Sequence, residues 1–156
     1  MIFPSASRGI AARYALALLA TAGPISPALA ERSETAGEFT VHYNAIPTTA
    51  LSPDIARSYA ITRSGGRGFI NIAVVRQRDG EALPSAVAAR VTAFVRPLTG
   101  QRNPIELREI REQDAIYYIG DFRVRGEELL RFEVDVVPEG ATRPIPVRFD
   151  QPFVGD

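Results

Sequence analysis

The chain has 156 residues, no cysteine, one histidine, and 18 basic residues balanced by 18 acidic ones. That length suits one domain with its own core, and the charge balance supplies no field to gather nucleic acid or anionic lipid. Without cysteine there is no disulfide, no thiol chemistry and no thiolate metal site, so the fold must hold by packing alone.

Residues 1–30 read as a cleavable signal peptide. Arg8 and Arg13 give a positive start, residues 14–22 (YALALLATA) a short apolar run, and Gly23 and Pro24 a break. Ala28-Leu29-Ala30 then offers small residues for cleavage after Ala30. The apolar run is too short to span a bilayer. Export to the periplasm is expected, with no integral membrane segment left after cleavage. Residues 31–37 (ERSETAG) are polar and read as a flexible arm, and residues 38–156 as one β-sandwich domain.

Next, Phe39, Val41, Tyr43 and Ala45 alternate with Thr40, His42 and Asn44, the period of a half-buried strand. Ser52-Pro53-Asp54 is a helix start: a hydroxyl cap, proline at the first helical position and an acid in the first turn. The helix it predicts, ending near Ala60, is too short to stand alone and must dock on something. Residues 63–68 (RSGGRG) form a loop, and 69–75 (FINIAVV) read as a central strand covered on both faces. Further strands are predicted over 86–95, 105–110, 115–122, 130–136 and 145–149, separated by Gly, Pro and Asp turns. Pro146 cannot donate to a ladder, which sends the last strand to an edge. The pattern predicts an all-β, immunoglobulin-like antiparallel sandwich of about seven strands with one short helix. Tyr117 and Ile119 point away from the face of Ile116, Tyr118 and Phe122, and the short helix is the expected cover for them.

Three stretches carry a resemblance. The run from His42-Tyr43-Asn44-Ala45 through Leu51-Ser52-Pro53 and Tyr59-Ala60-Ile61-Thr62-Arg63-Ser64 to Arg67-Gly68 resembles a bacterial family known as domain of unknown function 4426. Residues 111–119 (REQDAIYYI) and 149–153 (FDQPF) are similar to it too. The resemblance implies a small exported domain with no assigned activity.

The candidate chemistry is sparse. His42 is the single side chain whose ordinary pKa lies near neutrality, and none of Ser52, Ser58, Ser64 and Ser85 sits in a G-x-S-x-G elbow. One histidine without cysteine does not build a usual zinc site, and calcium-loop spacing is missing, so neither metal nor cofactor is expected. Glu112 and Asp114 lie in a turn between strands, with no neighbour in sequence to separate their pKa values. The 63–68 loop has glycines that let backbone N–H groups approach a ligand, and Arg63 and Arg67 could fork an anion. Two main functions follow, beside a third, a stand-alone stress or stability factor with no fixed site. The first is a non-enzymatic periplasmic binding or interaction module, its partner another envelope protein. The alternative is a binder of small anions or other ligands, or an enzyme, using His42, Asn44, Arg63, Arg67 and Asn71.

Overall fold

The computed structural model describes residues 32–155; the leader expected over residues 1–30 lies outside them. Ten strands run in chain order: β1 (Arg32–Ala36), β2 (Phe39–Pro47), β3 (Arg67–Arg76), β4 (Ser85–Ala86), β5 (Ala89–Pro97), β6 (Asn103–Ile105), β7 (Arg108–Glu112), β8 (Ala115–Arg123), β9 (Glu127–Pro138) and β10 (Ile145–Val154). A 3-10 turn (Thr48–Ala50) and helix α1 (Pro53–Ser58) join β2 to β3. One sheet of six strands runs β1-β2-β3-β8-β7 with β4 beside β3, and a second of four runs β10-β9-β5-β6. Every pairing is antiparallel. The expected antiparallel β-sandwich is the fold.

Period-two alternation builds the core between the sheets. Val41, Ile70, Ile72 and Val74 from one sheet meet Leu130, Phe132, Val134 and Val136 from the other, all essentially inaccessible to solvent. Phe132 lies at the aromatic centre, stacked on Phe149 at 4.7 Å and edge-on to Phe122 at 5.1 Å. Full burial of each such side chain stabilises by about 1.5–3 kcal/mol.

Two of the seven expected strands are split, and each split is a change of sheet. The 86–95 strand becomes β4 in the larger sheet and β5 in the smaller; the 105–110 strand becomes β6 in the smaller and β7 in the larger. At the first crossing, Ala89 N–H donates to the Tyr118 hydroxyl at 2.7 Å, so a backbone group at the sheet change is satisfied by a side chain. At the second, the chain passes over Gly120, where an added Cβ would stand 2.6 Å from the Glu106 carbonyl oxygen and 2.7 Å from the Ile105 side chain.

The flexible arm expected over 31–37 is corrected: Arg32–Ala36 is a strand in register with Tyr43–Phe39. Its composition hid it, because an edge strand solvated along most of its length shows no apolar alternation. Arg32 anchors it, donating to the Asp150 carbonyl and Gln151 Oε1 at 3.3 and 2.9 Å and lying 5.4 Å from the centre of the Phe149 ring.

Helix α1 forms as its sequence signals require. Ser52 Oγ accepts from Ile55 N–H at 3.2 Å, Pro53 opens the first turn, and Asp54 and Arg57 sit at the ends that suit their charges. The helix and its flanks place Leu51, Ala56, Ile55, Tyr59 and Ile61 against Ile46, Phe69, Tyr117 and Ile119, a second apolar cluster on the outer face of the six-stranded sheet. The expected cover for Tyr117 and Ile119 is therefore present.

Candidate functional site

The strand register decides which candidate residues meet. Asn44 stands directly opposite Asn71, and His42 opposite Ala73. Side chains alternate faces, so His42, Asn44 and Asn71 share the outer face of the six-stranded sheet, beside the half covered by α1. Ser33 of β1 flanks His42, and Tyr117 of β8 flanks Ala73. All three candidates are half-buried, and Asn71 Oδ1 is shielded from solvent with no hydrogen-bond partner among the described residues. A buried amide oxygen left that way costs about 1–3 kcal/mol.

The surroundings are unusual in charge. Thr35, Thr40, Ala73, Val75 and Ala115 complete this half of the face, with Glu112 of β7 at its rim opposite Ala115. The outer face of the four-stranded sheet is the opposite. Arg131 donates two hydrogen bonds to Asp150 at 2.8 and 2.9 Å, Arg148 pairs with Asp135 at 2.7 Å, and Arg96 and Arg102 both meet Glu133. The Arg131 guanidinium holds the Asp150 carboxyl below its usual range. One face of the sandwich is thus laced with ion pairs and solvated; the other is nearly charge-free around His42.

Arg63 and Arg67 do not join the group. Arg67 lies on the same face but about 13 Å along β3 from Asn71, with Phe69 and the α1 cluster between them. Its guanidinium pairs with Asp121, while Arg63 donates to the Thr49 carbonyl at 2.8 Å. Both cations of the 63–68 loop are thereby turned to acceptors of the chain itself. None of the five candidates lines the cavity of about 360 Å³ between β1 and the β9–β10 turn.

The serines weighed as nucleophiles are engaged locally. Ser52 caps α1, Ser58 donates to the Asp54 carbonyl, Ser64 Oγ accepts from Gly66 N–H, and Ser85 donates to the Arg76 carbonyl. Among the described residues no group of three His, Cys, Asp or Glu side chains is placed to hold a metal ion.

Sequence reasoning missed Thr48 and the Tyr59–Glu112 pair. Thr48 is fully buried, donating to the Ser64 carbonyl at 3.0 Å and accepting from Ser64 N–H at 2.9 Å, which pins the 63–68 loop to the 3-10 turn. The Tyr59 hydroxyl donates to Glu112 at 2.7 Å and ties the end of α1 to β7. Burial, then the hydrogen bond to Glu112, pushes the Tyr59 pKa up to about 12. The bracketing of Thr48 by Pro47 and a helix cap was the available signal for a pinned turn; the Tyr59 contact had none, since its partner lies 53 positions away.

No curated protein matches the sequence. The chain is similar to a solved protein of Pseudomonas aeruginosa PAO1, with 29% identity, a TM-score of 0.65, and 81% of this chain and 96% of that one covered. It shares its fold with FetP of uropathogenic Escherichia coli, at 11% identity and a TM-score of 0.57 in the as-isolated form, covering 81% of this chain and 95% of that one. A copper-bound FetP variant gives 12% identity and a TM-score of 0.54, covering 81% and 96%. The Pseudomonas protein is a DUF4426 family protein, the model described as Domain of unknown function (DUF4426) matches residues 33–156, and the chain belongs to that family.

Proposed function

We propose that this chain is an exported, non-catalytic binding module of the periplasm that docks another envelope protein on the outer face of the six-stranded sheet, around His42, Asn44 and Asn71. The carrying observation is the contrast between the two outer faces: ion pairs cover one, while on the other the half around His42 is uncharged inside a rim that holds Glu112. A surface with few charges loses less on desolvation than one laced with ion pairs, which suits a protein partner. The leader composition supports export, and no helix among the described residues is long and apolar enough to cross a membrane.

Copper, which one FetP variant holds, does not suit these residues. Copper sites draw on imidazole, thiolate and thioether donors. This chain has one histidine, no cysteine and one methionine, Met1, and His42 stands in no cluster of ligating side chains among the described residues.

The test compares partner capture from envelope extract by the exported protein and two variants. Ala73→Arg puts a cation opposite His42 in that half of the face; Thr92→Arg puts one on the outer face of the other sheet. Proteins captured by the wild type and by Thr92→Arg, and lost with a folded Ala73→Arg, support the reading. Capture unchanged by Ala73→Arg, or no specific capture by the wild type, overturns it.

A further inference from the structure

Four long sides of the sandwich end in edge strands, and three of them are blunted. β10 carries Pro146 and Pro152, β6 is three residues long with Pro104 in its middle, and four of the five residues of β7 are charged. These are the devices by which natural sheets prevent strand addition. β1 is less guarded: two of its five residues, Arg32 and Glu34, are charged. It contains no proline, Arg32 is turned inward onto Phe149 and Gln151, and Ser33–Ala36 are exposed. Among the described residues its outer side pairs with no strand.

A slot lies beside that edge. The cavity of about 360 Å³ runs between β1 and the β9–β10 turn. Phe39, Ala141, Pro144 and Ile145 give it an apolar lining, with Glu34 and Arg143 also on its wall. Glu34, Thr35 and Ala36 line the cavity, and the side chains of Glu34 and Ala36 are the ones on its side of the sheet, because Ser33 and Thr35 share the opposite face with His42 and Thr40. A strand laid along β1 would alternate in the same way, sending every second side chain toward the slot.

The geometry points to a peptide-binding site formed by the β1 edge and this slot, which takes an extended segment of another protein by strand addition. Backbone hydrogen bonds to β1 supply the register, and the slot supplies selectivity. The segment carries a basic residue opposite Glu34 and, two positions along, an apolar residue opposite Ala36 that fills the slot. A second copy of this chain suits the edge poorly: full antiparallel pairing of β1 with itself sets Glu34 against Glu34, and like charges directly opposed are destabilising. This site is separate from the His42 face, and either can hold without the other.

The probe is a blocked heptapeptide, Thr-Val-Thr-Arg-Thr-Val-Thr, whose central arginine and flanking valines fall on one face whichever way the strand runs. Titrated into the isotopically labelled exported protein, it is expected to shift and protect the amides of Ser33–Ala36 and of the β9–β10 turn. Glu34→Lys is expected to weaken binding about tenfold, and exchanging the probe's arginine for glutamate to restore it. Ala36→Trp, which fills the slot from the exposed edge, removes binding of both peptides, whereas Ala73→Arg leaves it unchanged. Absence of shifts in β1 at millimolar probe, shifts confined elsewhere, or sedimentation showing that β1 is already occupied by a second copy would each overturn the site.

Discussion

Single residues carry several of the conditions on which this sandwich depends. Gly120 lies beneath the crossing from β6 to β7, and the atoms a Cβ would meet include a backbone carbonyl, which cannot step aside as a flexible side chain can. Gly120→Ala is therefore expected to destabilise by about 1–3 kcal/mol, read as a lower urea midpoint at unchanged slope. Gly68 has a softer constraint: it faces Phe122 across β3 and β8, and the ring covers it, so a substitution displaces an aromatic side chain of the core. Thr48→Val keeps the shape but removes both bonds to Ser64. Its expected cost is about 1–3 kcal/mol, with faster amide exchange in residues 63–66.

At the scale of elements, α1 shows how a short helix is held. Ala60 N–H bonds the Arg57 carbonyl and Ile61 N–H bonds the Ala56 carbonyl, the paired bonds that close a helix through a left-handed residue. That residue is alanine, at φ 50°, where glycine is the usual occupant. Ala60→Gly is expected to stabilise by up to about 1 kcal/mol, the left-handed strain relieved being larger than the entropy glycine adds to the unfolded chain. The Tyr59–Glu112 tether has a pH signature. A tyrosine whose proton is held more tightly in the folded chain contributes its stability in full below about pH 10. As pH rises toward about 12, that contribution is lost. Tyr118, raised chiefly by burial, acts in the same direction. Tyr59→Phe should remove part of the alkaline loss of stability, measured as the difference between the two proteins' melting profiles from pH 9 upward. An identical profile would show that the hydroxyl does not hold the helix end.

For the whole molecule, the two sheets divide the work. The smaller sheet faces solvent with cross-strand ion pairs, and the larger gives one half of its outer face to α1 and leaves the other, around His42, with few charges. Much of this was legible in residues. Alternation in 39–45 and 130–136 fixed which side chains enter the core, Pro146 sent β10 to an edge, and Ser52-Pro53-Asp54 marked the helix. The outer-face position of His42 followed from the same alternation. The splits at 87–88 and 106–107 were hidden because a change of sheet keeps the local extended pattern. The β1 strand was hidden because most of its residues are exposed and show no apolar alternation.

What the sequence determined by itself is the set of local choices: extended or helical, inward or outward, turn or run. Those depend on a residue and its near neighbours. The tertiary structure alone decided that Asn44 meets Asn71, that Arg67 is engaged by Asp121, and that a slot lies beside β1. Each of these joins positions far apart in the chain, and the physical term that sets them is the register and packing of whole strands, to which no short stretch of sequence is bound.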